Sequence, residues 1–529
     1  MNVRPRDWMA VRAHRRATAA ANATEMLRAT LDEHHEIRPG DVDEVADRSG
    51  LPPAAVAGSA SFYADLTVPP GDRICAGTGC FVARDGAPAV SEPQVYCLGC
   101  CYAAPAALIG GTLVSGPDGA PAPPIPYSCA APEPVVLAGL CGGDRPWEAW
   151  STVLRNRQWR GILAEVAWSG LRGRGGAEYP VIAKWRAAQA LAAPRYVVAN
   201  GDEGDPGSYC DRLLMEYDPD RVLAGLALCG CAVGASQGLV LVRAEYPAAA
   251  AALRKAVERA RAAGYLGENL CGSGIDFDIT VHDGAGSYVA GEETALLRSL
   301  QGLRGTVQAR PPYPTGGGYR GRPTVVQNVE TLAAIPWIVR HGGETYARLG
   351  RTIETGTKLV CLNSEFSTPG VYEVEFGTPL RHIVEDLGGG LRRGRLRAVQ
   401  IGGPLGGFLA PDELDAGLAG ADLATYGVSL GHGSLVAIPD TVPPAALLRQ
   451  LWSFARRESC GACAPCRVGT QRGLELSAGV DAQLHAAGQR FDALLDIMQT
   501  ASLCAFGSGV ASAVRSLLRV YGTETIGGL

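Results

Sequence analysis

A long apolar segment runs from Val222 to Val242 without a charged residue, in the sequence VLAGLALCGCAVGASQGLVLV. Its length is sufficient for a membrane span, but it is rich in Gly, Ala and Cys, and GASQG interrupts it. The apolar residues before this break indicate a buried helix, and LVLV after it indicates a buried strand. We therefore expect the core of a soluble domain here and not a membrane-spanning helix.

Shorter segments show the patterns of strands and helices elsewhere. YVVANG, at residues 196–201, predicts a strand that leads into an acidic turn. Residues 357–387 alternate between apolar and polar positions as strands do, whereas residues 484–501 have a helical pattern. The adjacent Glu292 and Glu293 indicate the start of another helix. This mixture predicts a multidomain α/β protein.

The composition is that of an ordinary globular protein. The 529 residues are too many for one hydrophobic core, and 47% of them are hydrophobic while only 19% are charged. A net charge of −5 argues against a nucleic-acid-binding surface. The start, MNVRPRDWMAVRAHRR, is basic but no apolar stretch follows it, so it is not a secretory signal; a basic helix is favoured over a transit peptide. We therefore expect a cytoplasmic protein.

The chain has 16 cysteines, and without a secretory signal we expect them in a reducing compartment. There, cysteines bind metals or lie buried as thiols, and disulfides are rare. Cys129 and Cys141 stand alone in the sequence and have no assigned role. Five others lie among apolar neighbours and are predicted to be small buried hydrophobic residues: Cys210, Cys229, Cys231, Cys271 and Cys361.

ESCGACAPCRVGT, at residues 458–470, places Cys460, Cys463 and Cys466 at every third position. This spacing lets the sulfurs converge on one point, and a [4Fe–4S] cluster needs a fourth thiolate. The next cysteine is Cys504, which follows a predicted helix that would have to return it to the trio. Structural zinc bound by four cysteines is the alternative.

Two further cysteine segments lie near the N-terminus. CAGTGC contains Cys75 and Cys80, and CLGCC contains Cys97, Cys100 and Cys101. Two pairs of thiolates suit a [2Fe–2S] cluster, with two ligands for each iron, and zinc is again the alternative. Spacing alone does not decide between Cys100 and Cys101 as the fourth ligand.

Glycine-rich and acidic segments separate the two cysteine groups. Residues 169–180, SGLRGRGGAEYP, combine glycines with arginines and suit a phosphate-bearing ligand, or they form a flexible surface loop. Residues 200–207, NGDEGDPG, offer acceptors for a ribose or a ring, or they form a solvated loop. Residues 310–332 end in polar side chains suited to the edge of a flat heterocycle. They contain G-x-G-x-x-G, but no strand precedes it, so a Rossmann motif is excluded, and the sequence has no P-loop pattern.

Together these motifs resemble a known family. GRGGAEYP, NGDEGDPGSYCDR, RAEYP, GAGSYVAGEETALL, RPPYP, PTVVQNVETL, ESCGACAPCR and SLCAFG follow the order of the NADH-binding flavoprotein subunit of respiratory complex I. The resemblance extends to the diaphorase subunits of NAD-reducing hydrogenases and NAD-dependent formate dehydrogenases, and it covers roughly residues 150–529. Residues 18–140, with CAGTGC and CLGCCYAAPAALIGG, resemble the family's [2Fe–2S] companion subunit, which implies that the two are fused here.

The resemblance implies a multidomain α/β architecture whose regions follow one another along the chain. They are an N-terminal helical segment at residues 1–66, a thioredoxin-like [2Fe–2S] domain at 67–143, a Rossmann-like FMN- and NADH-binding domain at 144–350, a ubiquitin-like β-grasp domain at 351–440 and a C-terminal helical bundle with the [4Fe–4S] cluster at 441–529.

The resemblance also implies the cofactors and their residues. FMN and NAD(H) would share one pocket beside a [4Fe–4S] and a [2Fe–2S] cluster, hydride would pass directly between NADH and FMN, and no side chain would act as acid or base. The family's C-x3-C pair selects Cys97 and Cys101 over Cys100. Positions that match FMN contacts are Gly173, Arg174, Gly175, Gly176, Lys184, Asn200, Asp202, Glu203, Tyr288, Gly291, Glu292, Glu293, Val326, Gln327, Asn328 and Thr331. Those that match NADH contacts are Tyr179, Lys184, Asp205, Glu293, Arg310 and Tyr313. The cluster ligands would be Cys460, Cys463, Cys466 and Cys504, and Cys75, Cys80, Cys97 and Cys101.

The pocket departs from the family pattern at four positions. Glu178 stands where glycine is usual, and its carboxylate could narrow the pocket, repel a nucleotide phosphate or change the choice between NADH and NADPH. Gln327 replaces a common asparagine, and Tyr179 and Tyr313 stand where phenylalanine is usual.

The function that the resemblance implies is that of a diaphorase subunit in a soluble hetero-oligomeric oxidoreductase. No molybdenum, tungsten or nickel site is visible in the sequence, so other iron–sulfur and catalytic subunits would handle the second substrate. An NAD-dependent formate dehydrogenase is favoured slightly over an NAD-reducing hydrogenase or an NADH:quinone oxidoreductase. A non-catalytic scaffold with zinc in its cysteine sites is the alternative from another class.

Overall fold

The computed structural model describes residues 22–68, 71–90, 93–478 and 484–522 of the chain. The basic sequence at residues 1–16 lies outside the described residues. Within them, the strands form sheets of five, four and six strands, with helices around them. The expected multidomain mixture of helix and strand is confirmed.

The N-terminal helices are fixed on a distant part of the chain. Helix α1 (Ala23–His34) begins at Asn22, whose side chain accepts a hydrogen bond from Thr24 N at 2.9 Å. The same side chain donates to Ser299 O at 3.1 Å, so the cap also anchors the helix. The helices that follow are α2 (Pro39–Ser49), α3 (Pro53–Ala60) and α4 (Ala64–Thr67).

The first sheet carries the N-terminal cysteine segments. Cys75 ends β1 (Arg73–Cys75), and Cys80 lies in α5 (Thr78–Ala83). The strand order is β2-β1-β3-β4-β5, with β1 parallel to β2 and antiparallel to β3. The other strands are β2 (Gln94–Val95), β3 (Ala106–Ile109), β4 (Thr112–Ser115) and β5 (Ala120–Pro121).

A short strand after this sheet, β6 (Tyr127–Cys129), belongs to a different sheet. It pairs in parallel with β12 (Gly370–Glu375). The sequence PAPPIP, at residues 121–126, separates the two sheets, because proline cannot donate a hydrogen bond to a neighbouring strand. The N-terminal sheet region therefore ends ahead of residue 127, earlier than the expected boundary at residue 143.

A parallel sheet with the order β10-β7-β8-β9 forms the centre of the molecule. The apolar segment 222–242 forms most of α11 (Pro219–Val233) and β8 (Gln237–Val242), which confirms the helix and the strand expected there. None of the helices in the described parts of the chain is long and apolar enough to cross a membrane. The other elements here are β7 (Tyr196–Gly201), β9 (Asp278–Asp283), β10 (Thr324–Asn328), α6 (Ala138–Gly142), α7 (Pro146–Arg155), α8 (Trp159–Ser169), α9 (Val181–Gln189), α10 (Cys210–Tyr217), α12 (Pro247–Ala262), α13 (Glu293–Ser299), α14 (Pro314–Gly317), α15 (Val329–His341) and α16 (Gly343–Ala347).

The third sheet has the order β14-β13-β15-β11-β12-β6. Strand β11 is antiparallel to β12 and parallel to β15, and all of its side chains are buried. A π-helical turn at His382–Leu387 lies between two of the strands in sequence. The remaining elements are β11 (Thr357–Leu362), β13 (Leu396–Ile401), β14 (Gly407–Leu409), α17 (Gly420–Ala424) and β15 (Ser434–Pro439).

Helices form the C-terminal region. They are α18 (Pro444–Glu458), α19 (Ala464–Ala478), α20 (Leu484–Ala501) and α21 (Ala505–Tyr521). Helix α20 confirms the helix predicted at residues 484–501. It packs on both α19 and α21, and Cys504, just before α21, lines one cavity with the cysteine trio.

The cysteines predicted to be small buried hydrophobic residues differ in exposure. Cys210, Cys229 and Cys361 are buried, and Cys231 is half-buried. Cys271 is exposed, so the prediction is wrong for this residue. Its φ of 51° places it in a tight surface turn, where apolar neighbours in sequence do not become neighbours in space.

Candidate functional site

The four C-terminal cysteines converge on one small cavity. Cys460 and Cys466 are buried, and Cys463 and Cys504 are half-buried. Burial raises the pKa of Cys466 to about 12 and that of Cys504 to about 11, so these thiols stay protonated at neutral pH unless a cation binds them. The cavity is lined by these cysteines together with Val289, Val307, Ser459, Gly461, Ala462, Leu503 and Phe506.

The four N-terminal cysteines chosen by the resemblance also form one buried group. Cys97 Sγ lies 3.4 Å from Cys101 Sγ, and Cys75 contacts both Cys80 and Cys97. The contact with Cys80 and burial hold the pKa of Cys75 well above its usual value, although the contact with Cys97 acts in the opposite direction.

Cys100 is equally buried, but its thiol contacts Tyr102 and Ser115 and lies outside this group of four. The geometry therefore separates Cys101 from Cys100, which the spacing in the sequence did not.

The glycine loop at residues 173–176 lies against the end of β10. A Cβ on Gly175 would stand 3.0 Å from Asn328 Cβ, so glycine permits a closer approach than a larger residue would. Arg174 N donates to Thr331 Oγ1 at 2.8 Å. The Arg174 side chain turns into the interior, where it donates to Tyr346 and to Thr355 O and lies over the ring of Phe376. Its charge is therefore not directed to a phosphate, in contrast to the expectation for this residue.

The residues at the end of β10 use their side chains in different ways. Asn328 Oδ1 accepts from Thr331 N at 3.2 Å and caps α15, while Asn328 Nδ2 donates to Asp211 at 2.6 Å. The Asn328 side chain thus faces the interior, so a flavin contact from it would come from the backbone. Val326 O accepts from Lys184 Nζ at 3.5 Å. Gln327 Nε2 is buried without a hydrogen-bond partner and is free to donate to a ligand.

The acidic segment after β7 is buried and not a solvated loop. Burial raises the pKa of Asp202 to about 8 and that of Glu203 to about 7. Both Glu203 oxygens accept backbone hydrogen bonds, from Asp211 N at 2.8 Å and Arg212 N at 2.9 Å. Asp205 accepts from Tyr288 OH at 2.5 Å, and burial raises its pKa as well.

A line of ion pairs joins the remaining polar residues predicted to bind the nucleotides. Lys184 Nζ donates to Glu293 at 2.8 Å. Arg310 donates to Glu293 at 3.0 Å and to Glu292 at 2.7 Å. Asn200 Nδ2 donates to Gly291 O at 2.8 Å, which ties β7 to the turn before α13. The structure thus brings the basic and acidic positions of the resemblance together.

The two tyrosines predicted to meet the nicotinamide nucleotide are exposed. Tyr179 has 51% and Tyr313 has 58% of its surface accessible, so both rings are free to stack on a ligand. Glu178, between the glycine loop and Tyr179, has a φ of 48°, which explains why glycine suits this position. Its carboxylate is directed toward Glu354: a Cβ on Gly420 would lie 2.6 Å from Glu178 Oε2 and 3.0 Å from Glu354 Oε1.

An aromatic cluster, defined by Tyr96, Tyr288, Phe454 and Phe506, joins the predicted centres and was not expected from the sequence. Phe454 lies 5.3 Å from Tyr96 and 5.1 Å from Tyr288 between ring centroids, and Tyr288 lies 5.5 Å from Phe506. Tyr96 precedes Cys97, Tyr288 is a predicted flavin contact, and Phe506 follows Cys504 closely in sequence. Phe454 comes from α18, which carried no signal of a site in the sequence.

Arg243 is a second residue that sequence reasoning missed. Its guanidinium donates to Glu203 O at 2.8 Å, to Tyr96 O at 2.9 Å and to the Glu245 carboxylate at 2.9 Å. It is buried, and it connects the acidic segment to the first sheet region. Its presence in the quoted motif RAEYP was the signal that could have found it.

The donor set fits FMN and two iron–sulfur clusters. Gln327 offers a buried donor without a partner, and Gly175 allows the glycine loop to approach Asn328 closely. The cysteines of both groups are free thiols, and the members of each group lie close together, as the ligands of an iron–sulfur cluster must. Four thiolates also suit zinc, so the thiols alone do not identify the metal.

Comparison with known proteins agrees with this site. The Nuo51 FMN-binding domain family matches residues 166–337, and the NADH-ubiquinone oxidoreductase-F iron-sulfur binding region matches residues 446–526.

Related proteins with assigned names cover the same part of the chain. The NADP-reducing hydrogenase subunit HndC of Solidesulfovibrio fructosivorans is 40% identical over 370 residues, which is 69% of this chain and 75% of that protein. An F-type subunit of the NADH-quinone oxidoreductase of Rhizobium meliloti is 37% identical over 69% of this chain and 88% of its own length. The F-type subunit of the NADH-quinone oxidoreductase of Escherichia coli is 37% identical over 70% of this chain and 84% of its own length.

A solved structure covers nearly the whole chain. A chain of an NAD+-reducing [NiFe]-hydrogenase in the H2-reduced state superposes with a TM-score of 0.82 at 29% identity, over 96% of this chain and 94% of that one. The chain therefore belongs to the family of NADH-binding FMN and iron–sulfur subunits that includes the F-type subunits of NADH-quinone oxidoreductases and their counterparts in NAD(P)-reducing hydrogenases.

Proposed function

We propose that the chain is a diaphorase subunit that exchanges hydride between NAD(H) and FMN and single electrons with a [4Fe–4S] and a [2Fe–2S] cluster. The observation that carries the proposal is the aromatic cluster, because its rings include residues within two positions of one ligand of each predicted iron–sulfur site and a predicted flavin contact. Bound FMN would supply the exchange between two-electron hydride and one-electron carriers.

The chain's own residues have positioning roles in this proposal. Tyr179 and Tyr313 present exposed rings for stacking on the nicotinamide nucleotide. Lys184 and Arg310 share Glu293 as a partner and hold the polar side of the pocket together. Gln327 donates from a buried position, and no residue is needed as an acid or base.

The proposal includes a [2Fe–2S] cluster and a fusion with the companion subunit, both in the N-terminal region. Curated relatives cover about 70% of the chain, whereas the hydrogenase structure covers 96% of it, including the region of the first sheet. The buried group of Cys75, Cys80, Cys97 and Cys101 supports a thioredoxin-like [2Fe–2S] domain in that region.

Partner subunits would accept the electrons near the C-terminal cysteines. Val468, Ile497 and Leu503 are exposed apolar side chains, and Leu503 lines the cavity of the four thiols. Such side chains suit a covered interface. We propose an NAD-dependent formate dehydrogenase as the assembly. The hydrogenase-type assembly is the second candidate, because a hydrogenase chain matches nearly the full length.

Anaerobic titration with NADH tests the proposal. We expect bleaching of the flavin absorbance, followed by low-temperature EPR signals from two reduced clusters. A colourless protein that contains zinc and no FMN would instead identify the scaffold. Co-purification of the assembly, followed by assays of NAD+ reduction with formate and with hydrogen, distinguishes the two candidate complexes.

Substitution of the proposed ligands tests the cluster assignment. Cys504→Ala should remove the [4Fe–4S] signal and leave the [2Fe–2S] signal, because a cubane loses one of its four thiolates. Cys100→Ala is the matched control and should leave both signals, since this thiol lies outside the N-terminal group. Unchanged spectra for Cys504→Ala would refute the ligand assignment.

A further inference from the structure

His432 brings a buried imidazole into the predicted flavin site from the loop before β15. It is 5% exposed, although it belongs to the six-stranded sheet region and not to the segments that resemble the flavin site. Ser208 Oγ donates to His432 O at 3.4 Å, and a Cβ on Gly176 would lie 3.3 Å from Gly431 Cα. The loop that carries His432 therefore packs directly on the glycine loop and on the segment after β7.

Both ring nitrogens of His432 face groups of the predicted site. Nε2 lies 3.1 Å from Asp211 Oδ2 and 3.0 Å from Asn328 Nδ2, and Nδ1 lies 3.6 Å from Glu203 Oε1. The contact of Nδ1 with Glu203 is too long for a hydrogen bond, and Nδ1 has no other hydrogen-bond partner among the described residues. The imidazole thus stands between two residues that match FMN contacts and a buried aspartate.

The charges around the ring favour an imidazolium. Burial lowers the pKa of His432, but Asp211 and Glu203 outweigh this effect and raise the pKa to about 10. Lys358 opposes the charge but forms its own ion pair with Glu330. Cys210 and Asp205 are further titratable neighbours of His432. As a cation, His432 can donate from Nε2 to Asp211 while its charge is also paired with Glu203 over a longer distance.

These contacts connect His432 to the cofactor pocket through Asn328. Asn328 and His432 share Asp211 Oδ2, and Asn328 also caps α15 and lies against Gly175. Without the imidazolium, the buried carboxylates of Asp211 and Glu203 would lose a positive charge that offsets their mutual repulsion.

We propose that His432 is a positioning residue: as an imidazolium it holds Glu203, Asp211 and Asn328 in place and thereby sets how tightly the site binds FMN and how readily bound FMN is reduced. The inference rests on the proposed function, because it assumes that the pocket binds FMN. A positive charge near the flavin favours reduction, since reduced FMN carries an added negative charge.

The test uses the full chain, stripped of flavin and titrated with FMN. His432→Gln should weaken FMN binding by about tenfold or more, because it leaves buried carboxylates without their cation. The midpoint potential of bound FMN should fall, and about 30 mV corresponds to a tenfold change in the two-electron equilibrium. His432→Lys keeps a cation and should recover part of both losses.

His382→Gln is the matched control. His382 lies in the same sheet region but is exposed and pairs only with the surface residue Asp386, so both FMN affinity and potential should stay at the wild-type values. Wild-type affinity and potential in His432→Gln would overturn the inference. Failure of the wild-type chain itself to bind FMN would refute the proposed function, whatever His432 does.

A measurement on the wild-type chain covers the case in which His432→Gln does not fold. The chain has eight histidines. An ordinary imidazole titrates near pH 6.5 and is therefore almost entirely neutral at pH 8.5. NMR of ring-labelled histidine at pH 8.5 should therefore show one imidazole that remains charged. Neutral rings at all positions would contradict the inference.

Discussion

At the scale of single residues, Asp202 shows how burial controls a carboxyl group. It is 4% exposed and has Arg243 as its cationic neighbour, while Glu245, Glu458 and Asp205 add negative charge. Burial first and these carboxylates second raise its pKa to about 8. Because the folded state then binds a proton that the unfolded state releases, this contribution to stability is complete at low pH and is lost as pH rises toward 8.

Asp202→Asn should remove this dependence on pH. The amide keeps the shape of the carboxyl group but cannot ionise. We therefore expect the melting temperature of the variant to fall less than that of the wild type between pH 5 and pH 9. Melting curves of both proteins across this range provide the measurement. Asp440→Asn, at a half-exposed carboxyl whose pKa is lowered by its contact with Arg395, should follow the wild-type profile. Parallel profiles for Asp202→Asn would contradict the raised pKa.

The backbone at Glu178 gives a second prediction. With a φ of 48°, any side chain with a Cβ costs roughly 1 kcal/mol relative to glycine. Glu178→Gly should therefore raise the melting temperature. Glu178→Ala retains the Cβ and should not show this increase. Since the carboxylate is directed to Glu354 and Gly420, we expect the relative affinities for NADH and NADPH to stay unchanged. A changed preference in both variants would show that the carboxylate meets the nucleotide.

At the scale of elements, α18 connects parts of the molecule that are far apart in sequence. Its Phe454 packs between Tyr96 and Tyr288, and its last residue, Glu458, accepts a hydrogen bond from Tyr288 N at 2.9 Å. The helix therefore joins Tyr96 of the first sheet region to Tyr288 of the predicted flavin site.

Phe454→Ala should destabilise the protein by roughly 3–5 kcal/mol, as loss of a buried phenylalanine does in other cores. The cavity opens next to Tyr96, which precedes Cys97 in sequence, and next to Phe506, so we also expect the iron content of both cluster sites to fall. Phe491→Ala is the matched control: Phe491 is also buried and stacks on Trp452, without a ring contact to Tyr288. It should lose stability but keep its iron. Equal iron loss in both variants would contradict a special role for Phe454.

The sequence predicted elements better than the contacts between them. The break in the apolar run at residues 222–242 and the helical pattern at 484–501 are local features, and both predictions are confirmed. The inward turn of Arg174, the ring of Phe454 and the imidazole of His432 depend on segments more than a hundred residues away, which no local pattern encodes. The resemblance supplied the positions of the pocket but not the residues behind them.

At the scale of the whole molecule, Glu373 joins the N-terminal half to the third sheet. Its buried carboxylate accepts from Val135 N, Val136 N and Leu137 N at 2.8–3.0 Å and from Thr357 Oγ1 at 2.6 Å. Each buried donor left without a partner costs about 1–3 kcal/mol. The joint between the two regions therefore depends strongly on one side chain.

Glu373→Ala should lower the melting temperature and release the segment that follows β6. Hydrogen exchange measured on peptides from residues 127–142 should become faster by about tenfold for each 1.4 kcal/mol lost. Glu375→Ala is the matched control, because Glu375 accepts from Gly350 N and, within the described part of the chain, makes no hydrogen bond to residues 135–137. Unchanged exchange in the Glu373 variant would show that strand pairing alone holds the segment.

The strand exchange at β6 has a consequence for how this chain could be divided or recombined. A gene cut within PAPPIP leaves each sheet with all of its strands, so two separately translated pieces could each retain their own hydrogen-bonded edges. A cut at residue 143 would leave β6 on the first piece, so β12 would become an open edge strand prone to aggregation. The same cut would separate Glu373 from its backbone partners. The transplantable unit at the N-terminus therefore ends before residue 127, and an engineered chimera should keep residues 127–143 with the recipient.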